Sequence, residues 1–504
     1  MKVPKSVIKF IPFIVTLVCL ASCSVGKGGY NEYAPKDGGY GGNNYYPETD
    51  NYTPAPGGYY STGPKNDGLT SEPITNPFVD VAENDKSNIS LTSTSFAYTT
   101  IREQINSGSV YYLQNTVRTE EMLNYFSYSY VNDTDDALTT HLELDTCPWN
   151  TEHYLASVVV KAKPAITENV KNNIVILVDR SGSMSGIFNL VKTSLRTLIS
   201  NLGDDDIVSI VSYASGCTVE TEGKTGKDKK ELNSIVDSLV ASGSTWGEGG
   251  IEKAYEIAYK YAIPNGNNRV VILTDGDFNV GKVSGEELTT LIKQKANDGV
   301  YLTCVGYRSY DNDTLYTLSN NGNGNAYYVD CDLEAKKVFE EELGKSMYVV
   351  AKDAKCQIQF SDAVSSYRLL GYETRQISEQ EFNDTKKDAG EIMSDHTTIA
   401  MYELALKSEY TSDYLFKTTL RYKIPDSEEN KEVVNVKSDM TVANRNDFDF
   451  AGYVAEFALI LQDSEFKGQS TFGHLLERIN SQSINDKYRD DFVSLVRKAQ
   501  SLLQ

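Results

Sequence analysis

Short apolar runs alternate with helical patterns between residues 172 and 350, and this alternation constrains the fold more than any other feature of the chain. The runs at 174–179 and 270–274 are almost entirely apolar, which indicates strands buried on both faces of a parallel sheet. Further strands are expected at 207–213, 301–305 and 326–329, with a short edge strand near 217–220. Helical patterns lie between them, at 185–200, 229–240, 249–262 and 286–297. This order predicts an α/β fold with a doubly wound, mostly parallel, Rossmann-like sheet.

Oxygen-bearing side chains follow these strands. They are Asp179, Ser181 and Ser183 in Asp-Arg-Ser-Gly-Ser, Thr245 in Ser-Gly-Ser-Thr-Trp-Gly, and Asp275 in Thr-Asp-Gly. Open α/β sheets bind ligands at the carboxyl ends of their strands, and the first and fourth strands should be neighbours, which would bring Asp179 and Asp275 together. Oxygen-only ligation suits Mg²⁺, Mn²⁺ or Ca²⁺ rather than zinc or copper. The first segment alone could equally be a helix cap. Thr245 and Asp275 favour the metal site.

The set resembles the metal-ion-dependent adhesion site (MIDAS) of the von Willebrand factor type A (VWA) domain, Asp-x-Ser-x-Ser followed by a Thr and an Asp. The resemblance implies that Ser181 and Ser183 bind the ion through their hydroxyls. Asp179 and Asp275 would supply negative charge, directly or through water, and Thr245 would join in one state of the site. It also implies that an exchangeable position on the ion accepts a Glu or Asp carboxylate from a protein partner.

The segments on either side also carry motifs. They are Asn76-Pro77-Phe78, the run 118–126, Cys147-Pro148-Trp149-Asn150, and the runs 367–373 and 420–423. Together these resemble bacterial YfbK-type VWA lipoproteins over roughly residues 76 to 500. The resemblance implies an N-terminal VWA-associated module at 76–168, a VWA domain at 169–350, and a C-terminal β-rich module ending in helices at 351–504. Strands within 140–165 and 355–425 are expected to share one sheet, which would make the VWA domain an insertion.

The first residues have the pattern of an export leader. A basic start, a short apolar core and small residues near Ala21 predict a signal peptide at 1–22. Leu20-Ala21-Ser22-Cys23 resembles the bacterial lipobox, which implies a lipid on Cys23; a plain signal peptide with an incidental cysteine is the alternative. Residues 23–75 are rich in Gly, Tyr, Asn and Pro and predict a flexible tether. The expected location is the bacterial cell envelope, lipid-anchored at the periplasmic face or the cell surface.

The chain is strongly acidic, with 48 Lys and Arg against 70 Asp and Glu. Loss of Lys2, Lys5 and Lys9 with the leader would lower the net charge from -22 to -25. This charge disfavours nucleic acid and anionic membrane surfaces as direct partners, so contact with the membrane is expected through the lipid alone. Five cysteines remain after Cys23, at 147, 217, 304, 331 and 356, without metal-ligand spacing, and their pairing stays open.

The leading hypothesis is a binding protein whose metal site ligates an acidic group of a protein partner, for adhesion or complex assembly. One alternative is an envelope scaffold or stress-tolerance protein that does not use the metal. A hydrolase is the other. Gly182-Ser183-Met184-Ser185-Gly186 departs from the nucleophile elbow G-x-S-x-G, because Met184 stands where serine is needed. The four histidines have no recognisable triad setting, so no enzymatic activity is expected.

Overall fold

The structure, a computed structural model, describes residues 75–504 apart from positions 93, 112, 166–169, 245–247, 277–284, 308–311, 344–347, 388, 426, 428 and 483–485. The predicted signal peptide (1–22), the predicted lipid site Cys23 and nearly all of the predicted tether (23–75) therefore lie outside the described residues. Thr245 lies outside them as well.

The described part of the chain contains both strands and helices. In chain order the strands are β1 (Val79–Asp80), β2 (Lys86–Ser90), β3 (Leu138–Thr146), β4 (Tyr154–Ala162), β5 (Asn172–Asp179), β6 (Ile207–Tyr213), β7 (Cys217–Thr225), β8 (Asn267–Thr274), β9 (Val300–Gly306), β10 (Ala326–Tyr328), β11 (Val349–Phe360), β12 (Val364–Leu370), β13 (Gly390–Met393), β14 (Thr397–Leu406), β15 (Phe416–Lys423) and β16 (Asn430–Lys437). The helices are α1 (Phe96–Ser107), α2 (Leu113–Thr116), α3 (Thr119–Asn124), α4 (Phe188–Asn201), α5 (Lys229–Ser238), α6 (Glu248–Lys260), α7 (Gly285–Asn297), α8 (Asn312–Asn321), α9 (Asp332–Lys336), α10 (Glu379–Asn383), α11 (Arg445–Leu461), α12 (Phe472–Asn480) and α13 (Lys487–Leu503).

A six-stranded sheet in the order β10-β9-β8-β5-β6-β7 forms the centre of residues 172–328. Its neighbouring strands are parallel except for the antiparallel pair β6–β7. Strand β5 is apolar because both faces of the sheet are covered. Ile176 packs in one core with Leu195 of α4, whereas Val175 packs in another with Ala254 of α6. The predicted α/β fold with a mostly parallel, doubly wound sheet is confirmed.

Two further sheets are built from segments that precede and follow residues 172–328. One has the order β1-β12-β14-β4-β3, and all its neighbouring strands are antiparallel. The other contains β13-β11-β15-β16, with β2 also paired to β11. Val160 of β4 lies opposite Thr398 of β14, and Ile89 of β2 lies opposite Cys356 of β11. The prediction that residues 140–165 and 355–425 share a sheet is therefore confirmed.

Helices α1, α3, α11, α12 and α13 enclose an aromatic core beside the first of these two sheets. Phe126 makes edge-to-face contacts with Tyr98, Phe450 and Phe492, with ring centroids 4.9, 4.8 and 5.7 Å away. Such arrangements are the ones that aromatic quadrupoles favour. The core therefore joins helices from the two ends of the described chain.

None of the helices within the described ranges combines the length and the apolar character needed to cross a membrane. The five cysteines after Cys23 are free thiols, and Cys147, Cys304 and Cys356 are buried among apolar neighbours.

Candidate metal centre

The two predicted aspartates lie at the carboxyl ends of adjacent central strands. Asp179 is the last residue of β5, and Asp275 directly follows the last residue of β8. Strands β5 and β8 are parallel neighbours, with Val178 opposite Leu273. Asp179 is fully buried and Asp275 is only 3% exposed. The structure thus brings both carboxylates to one edge of the sheet, as the strand order required.

The carboxylate of Asp179 is held by groups from three segments. Oδ1 accepts a hydrogen bond from the backbone N–H of Ser181 at 2.8 Å. Oδ2 accepts from the hydroxyls of Tyr213 and Thr274, each at 3.2 Å. Tyr213 ends β6 and Thr274 ends β8, the two strands that flank β5. The orientation of this carboxylate is therefore set by its own loop and by both neighbouring strands.

The charge of Asp179 is only partly compensated. Burial raises the pKa of Asp179 above the usual aspartate value, and the negative charge of Asp275 acts in the same direction, whereas the hydrogen bonds from Ser181 lower the pKa. Burial and the charge of Asp179 raise the pKa of the Tyr213 phenol well above its usual value. The phenol therefore stays protonated and acts as the donor to Asp179.

The two predicted serines extend the oxygen set towards solvent. Ser181 is 1% exposed and Ser183 is exposed, and their hydroxyl oxygens lie 3.0 Å apart. Ser183 belongs to a short 3-10 turn, Gly182–Gly186, that leads into α4 and is anchored by the buried side chain of Met184. The turn contacts a second loop, because the N–H of Gly182 donates to the carbonyl of Gly243 at 2.9 Å.

The carboxylate of Asp275 is buried, and one of its oxygens is unsatisfied by the residues that the structure describes. Its Oδ1 atom is buried and has no hydrogen-bond partner among the described residues. A buried carboxylate oxygen without a partner is costly unless a cation compensates it. In the described ranges, no three His, Cys, Asp or Glu side chains gather around a possible ion. The observed set is two carboxylates and two hydroxyls, a composition that fits Mg²⁺ or Mn²⁺.

Two residues of this site were not predicted from the sequence. Tyr213 and Thr274 both contact Asp179 directly. Each is the last residue of a strand that the sequence does predict. The carboxyl ends of these strands lie at the same sheet edge as Asp179, and this position was the signal that could have identified both residues. What the sequence could not supply was the direction of their side chains.

Comparisons with known proteins support this architecture. The family model described as von Willebrand factor type A domain matches residues 173–341. The model described as Uncharacterized protein YfbK, C-terminal, matches residues 345–502, and a model described as von Willebrand factor matches residues 69–157.

Individual relatives agree with the family models. "Uncharacterized protein YfbK" of Escherichia coli (strain K12) is 31% identical over 459 residues, covering 84% of this chain and 80% of that protein. The mouse voltage-dependent calcium channel subunit alpha-2/delta-2 is 27% identical over 244 residues, which is 44% of this chain but only 20% of the subunit. Among solved structures, a von Willebrand factor type A protein from Catenulispora acidiphila has a TM-score of 0.39 at 14% identity, covering 73% of this chain and 92% of its own. The chain therefore belongs to the family of YfbK-like proteins that carry a VWA domain.

Proposed function

We propose that this protein is a lipid-anchored binding protein of the bacterial cell envelope whose VWA domain uses a divalent cation to ligate an acidic group of a protein partner. Its work would be adhesion or complex assembly, by binding rather than catalysis. The observation that carries the proposal is the buried Oδ1 of Asp275, which has no hydrogen-bond partner in the described part of the chain, at the edge where Asp179, Ser181 and Ser183 also lie.

Each residue of the site has a distinct part in this proposal. Ser181 and Ser183 would hold Mg²⁺ or Mn²⁺ through hydroxyl oxygens that already lie 3.0 Å apart. Asp275 would contribute its unpartnered oxygen, and Asp179 would orient the loop through the N–H of Ser181. The bound cation would supply a Lewis-acidic position that a partner carboxylate can occupy in place of water. Thr245, outside the described residues, completes the set that the sequence predicts.

The exposed position of Ser183 supports binding of a large partner. In the turn Gly182–Gly186, Ser183 and every other residue except Met184 are exposed, whereas Asp179 and Ser181 are buried. A partner carboxylate would therefore approach from the Ser183 side. A single bond between the cation and a partner carboxylate buries little accessible surface, whereas a specific protein complex buries on the order of 1,000 Å² or more. The surface around the turn would have to contribute the remainder.

The lipid on Cys23 and the tether at 23–75 are the basis for the proposed location. A lipid-anchored chain with this tether would hold its VWA domain at a distance from the membrane. The alternative is an envelope scaffold or stress-tolerance protein that does not use the metal, and it shares the anchor but not the dependence on cations.

A matched pair of serine variants tests the metal site. Ser183→Ala removes a proposed ligand, whereas Ser185→Ala removes an exposed serine of the same turn whose hydroxyl donates to the carbonyl of Gly182 at 2.7 Å. Millimolar Mg²⁺ or Mn²⁺ should raise the melting temperature of wild type and of Ser185→Ala, because a ligand of the native state stabilises it by mass action. The rise should be lost or strongly reduced in Ser183→Ala. Equal responses in all three proteins would refute the metal site.

Partner binding is tested with the same proteins. Crosslinked capture of envelope proteins should require Mg²⁺, fail with chelator, and be competed by a Glu-containing peptide but not by its Gln counterpart. Ser183→Ala should lose the captured partner and Ser185→Ala should keep it. Capture that is unchanged by chelator and by Ser183→Ala would favour the scaffold alternative.

A further inference from the structure

A second loop, which follows helix α5, holds the backbone around one of the proposed cation ligands. The backbone N–H of Ser242 in this loop donates to the carbonyl of Arg180 at 2.6 Å. The N–H of Gly182 donates to the carbonyl of Gly243 at 2.9 Å. Arg180 and Gly182 are the residues directly before and after Ser181. The second loop therefore constrains the backbone on both sides of a proposed ligand.

Gly243 brings this loop into close contact with its neighbours on two sides. Its φ is +95°, in the left-handed region that glycine adopts at no steric cost. A Cβ atom added at Gly243 would lie only 2.7 Å from Oγ of Ser215, which is too close for any real contact. On the other side, a Cβ atom added at Gly182 would lie 3.3 Å from the carbonyl oxygen of Gly243. Glycine at 243 thus permits the loop to lie between the metal-site turn and Ser215.

Ser215 attaches the loop to the edge of the sheet. Its Oγ atom accepts a hydrogen bond from the backbone N–H of Ser244 at 3.1 Å and lies 3.2 Å from Oγ of Ser244. Ser215 belongs to the connection between strands β6 and β7, two residues after Tyr213. The hydroxyl of Tyr213 in turn donates to Asp179. The β6–β7 connection is therefore linked to the site both through Tyr213 and through the second loop.

Loss of the Ser215 hydroxyl would free one end of this arrangement. The bonds of Ser242 and Gly243 to the metal-site turn would remain, but the loop that makes them would no longer be attached to the sheet. A cation would then have to restrict a more mobile loop when it binds. Restricting such freedom costs binding free energy, and groups that hold ligands in place beforehand reduce that cost.

We propose that Ser215 is a positioning residue of the cation site. It does not touch the ion. Through Ser244 and Gly243 it fixes the backbone around Ser181, so that the hydroxyls of Ser181 and Ser183 are held ready for Mg²⁺ or Mn²⁺. The inference rests on the proposed function, because it takes the cation site as given, and it adds the β6–β7 connection to the parts of the chain that determine cation affinity.

Calorimetric titration of the full chain with Mn²⁺ alone tests the role of Ser215. Ser215→Ala should weaken Mn²⁺ binding by about three- to tenfold, the effect of one neutral hydrogen bond. Its melting temperature in chelator should equal that of wild type, because Ser215 is exposed and a merely structural role would lower it. Ser238→Ala is the control, since this exposed serine at the end of α5 donates to the carbonyl of Ile235 at 2.7 Å, and it should keep the wild-type affinity.

The outcomes separate this inference from the proposed function. Equal Mn²⁺ affinity in wild type and Ser215→Ala would overturn the positioning role and leave the cation site intact. A weaker affinity accompanied by a lower melting temperature in chelator would also overturn it, because the loss would then reflect general destabilisation. Absence of Mn²⁺ binding by wild type would instead refute the cation site itself.

Gly243→Ala tests the same contact from the other side. The added Cβ would displace Oγ of Ser215, so Mn²⁺ binding should weaken by at least about threefold. In the double variant Ser215→Ala/Gly243→Ala the combined loss should be smaller than the product of the two single losses, because residues that share one contact do not act additively. A combined loss equal to that product would show that the two residues act separately and would contradict the proposed link.

Discussion

Arg102 of helix α1 forms a two-point ion pair with Asp330, which follows strand β10 of the VWA region, and the contact from Nε to Oδ2 is 2.7 Å long. Nη2 of Arg102 also donates to Glu334 at 2.8 Å, and Nη1 donates to the hydroxyl of Tyr125 at 2.9 Å. The side chains of Arg102, Asp330 and Glu334 are 1%, 2% and 4% exposed. This buried network attaches the end of the VWA region to the flanking helices.

Replacing Arg102 with methionine should destabilise the protein strongly. The change leaves two buried carboxylates without their cation, and breaking a buried pair in this way typically costs about 3–5 kcal/mol. Urea unfolding at neutral pH measures the loss. Arg196→Met is the control, because the pair of Arg196 with Asp237 is exposed and should contribute at most about 1 kcal/mol. Similar losses in the two variants would show that the buried network contributes no more than a surface pair.

Asp275→Asn should abolish the stabilisation of the protein by added metal without lowering the stability of the metal-free protein. Without added cation, the substitution removes a buried negative charge near Asp179 whose Oδ1 has no hydrogen-bond partner among the residues that the structure describes, so the free energy of unfolding should be unchanged or higher by roughly 1 kcal/mol. In millimolar Mg²⁺ the variant should not gain the stabilisation that wild type gains. Thermal unfolding with and without chelator measures both effects. A variant that is less stable than wild type in chelator would mean that Asp275 has a structural role instead.

Stability should fall in acid partly because of His396. Its Nε2 atom is buried and has no hydrogen-bond partner in the part of the chain that the structure describes. Burial, together with the charges of Lys161 and Lys337, lowers the pKa of His396 to about 3, against the opposing effect of Asp395. In the unfolded chain the pKa is about 6.5. Between these values the unfolded chain binds a proton that the folded chain does not. The free energy of unfolding should therefore fall as the pH is lowered, by up to about 1.4 kcal/mol per pH unit.

The contribution of His396 is isolated by substitution. His396→Gln should reduce the loss of stability between about pH 6.5 and pH 4, as measured by urea unfolding at several pH values. His474→Gln replaces an exposed histidine and should leave the pH dependence as in wild type. Parallel pH curves for wild type and His396→Gln would contradict the assignment.

Local patterns predicted elements where the chain is uniformly buried or strongly periodic. The central strands were found within a few residues, because runs such as the one before Asp179 must be apolar along their whole length. Strand β16 and helix α12 were missed. Strand β16 alternates exposed and half-buried side chains, and Val434 and Val436 are more than half exposed, so its sequence carries little apolar periodicity. Helix α12 is only nine residues long, but it buries Phe472, Leu475, Leu476 and Ile479 at the i, i+3, i+4, i+7 spacing of an amphipathic helix, so its sequence does carry a helical signal.

The α/β class, the strand ends and the residue types that could hold a cation can be inferred from the amino-acid sequence, because they follow from local periodicity and from donor chemistry. Tertiary structure decided the rest. Only the pairing of β5 with β6 and β8 directs Tyr213 and Thr274 to Asp179 and leaves one oxygen of Asp275 without a partner within the described ranges. The pairing of β4 with β14 and the contact of Arg102 with Asp330 likewise join residues that are distant along the chain. Such contacts depend on how the whole chain packs, and no local pattern encodes them.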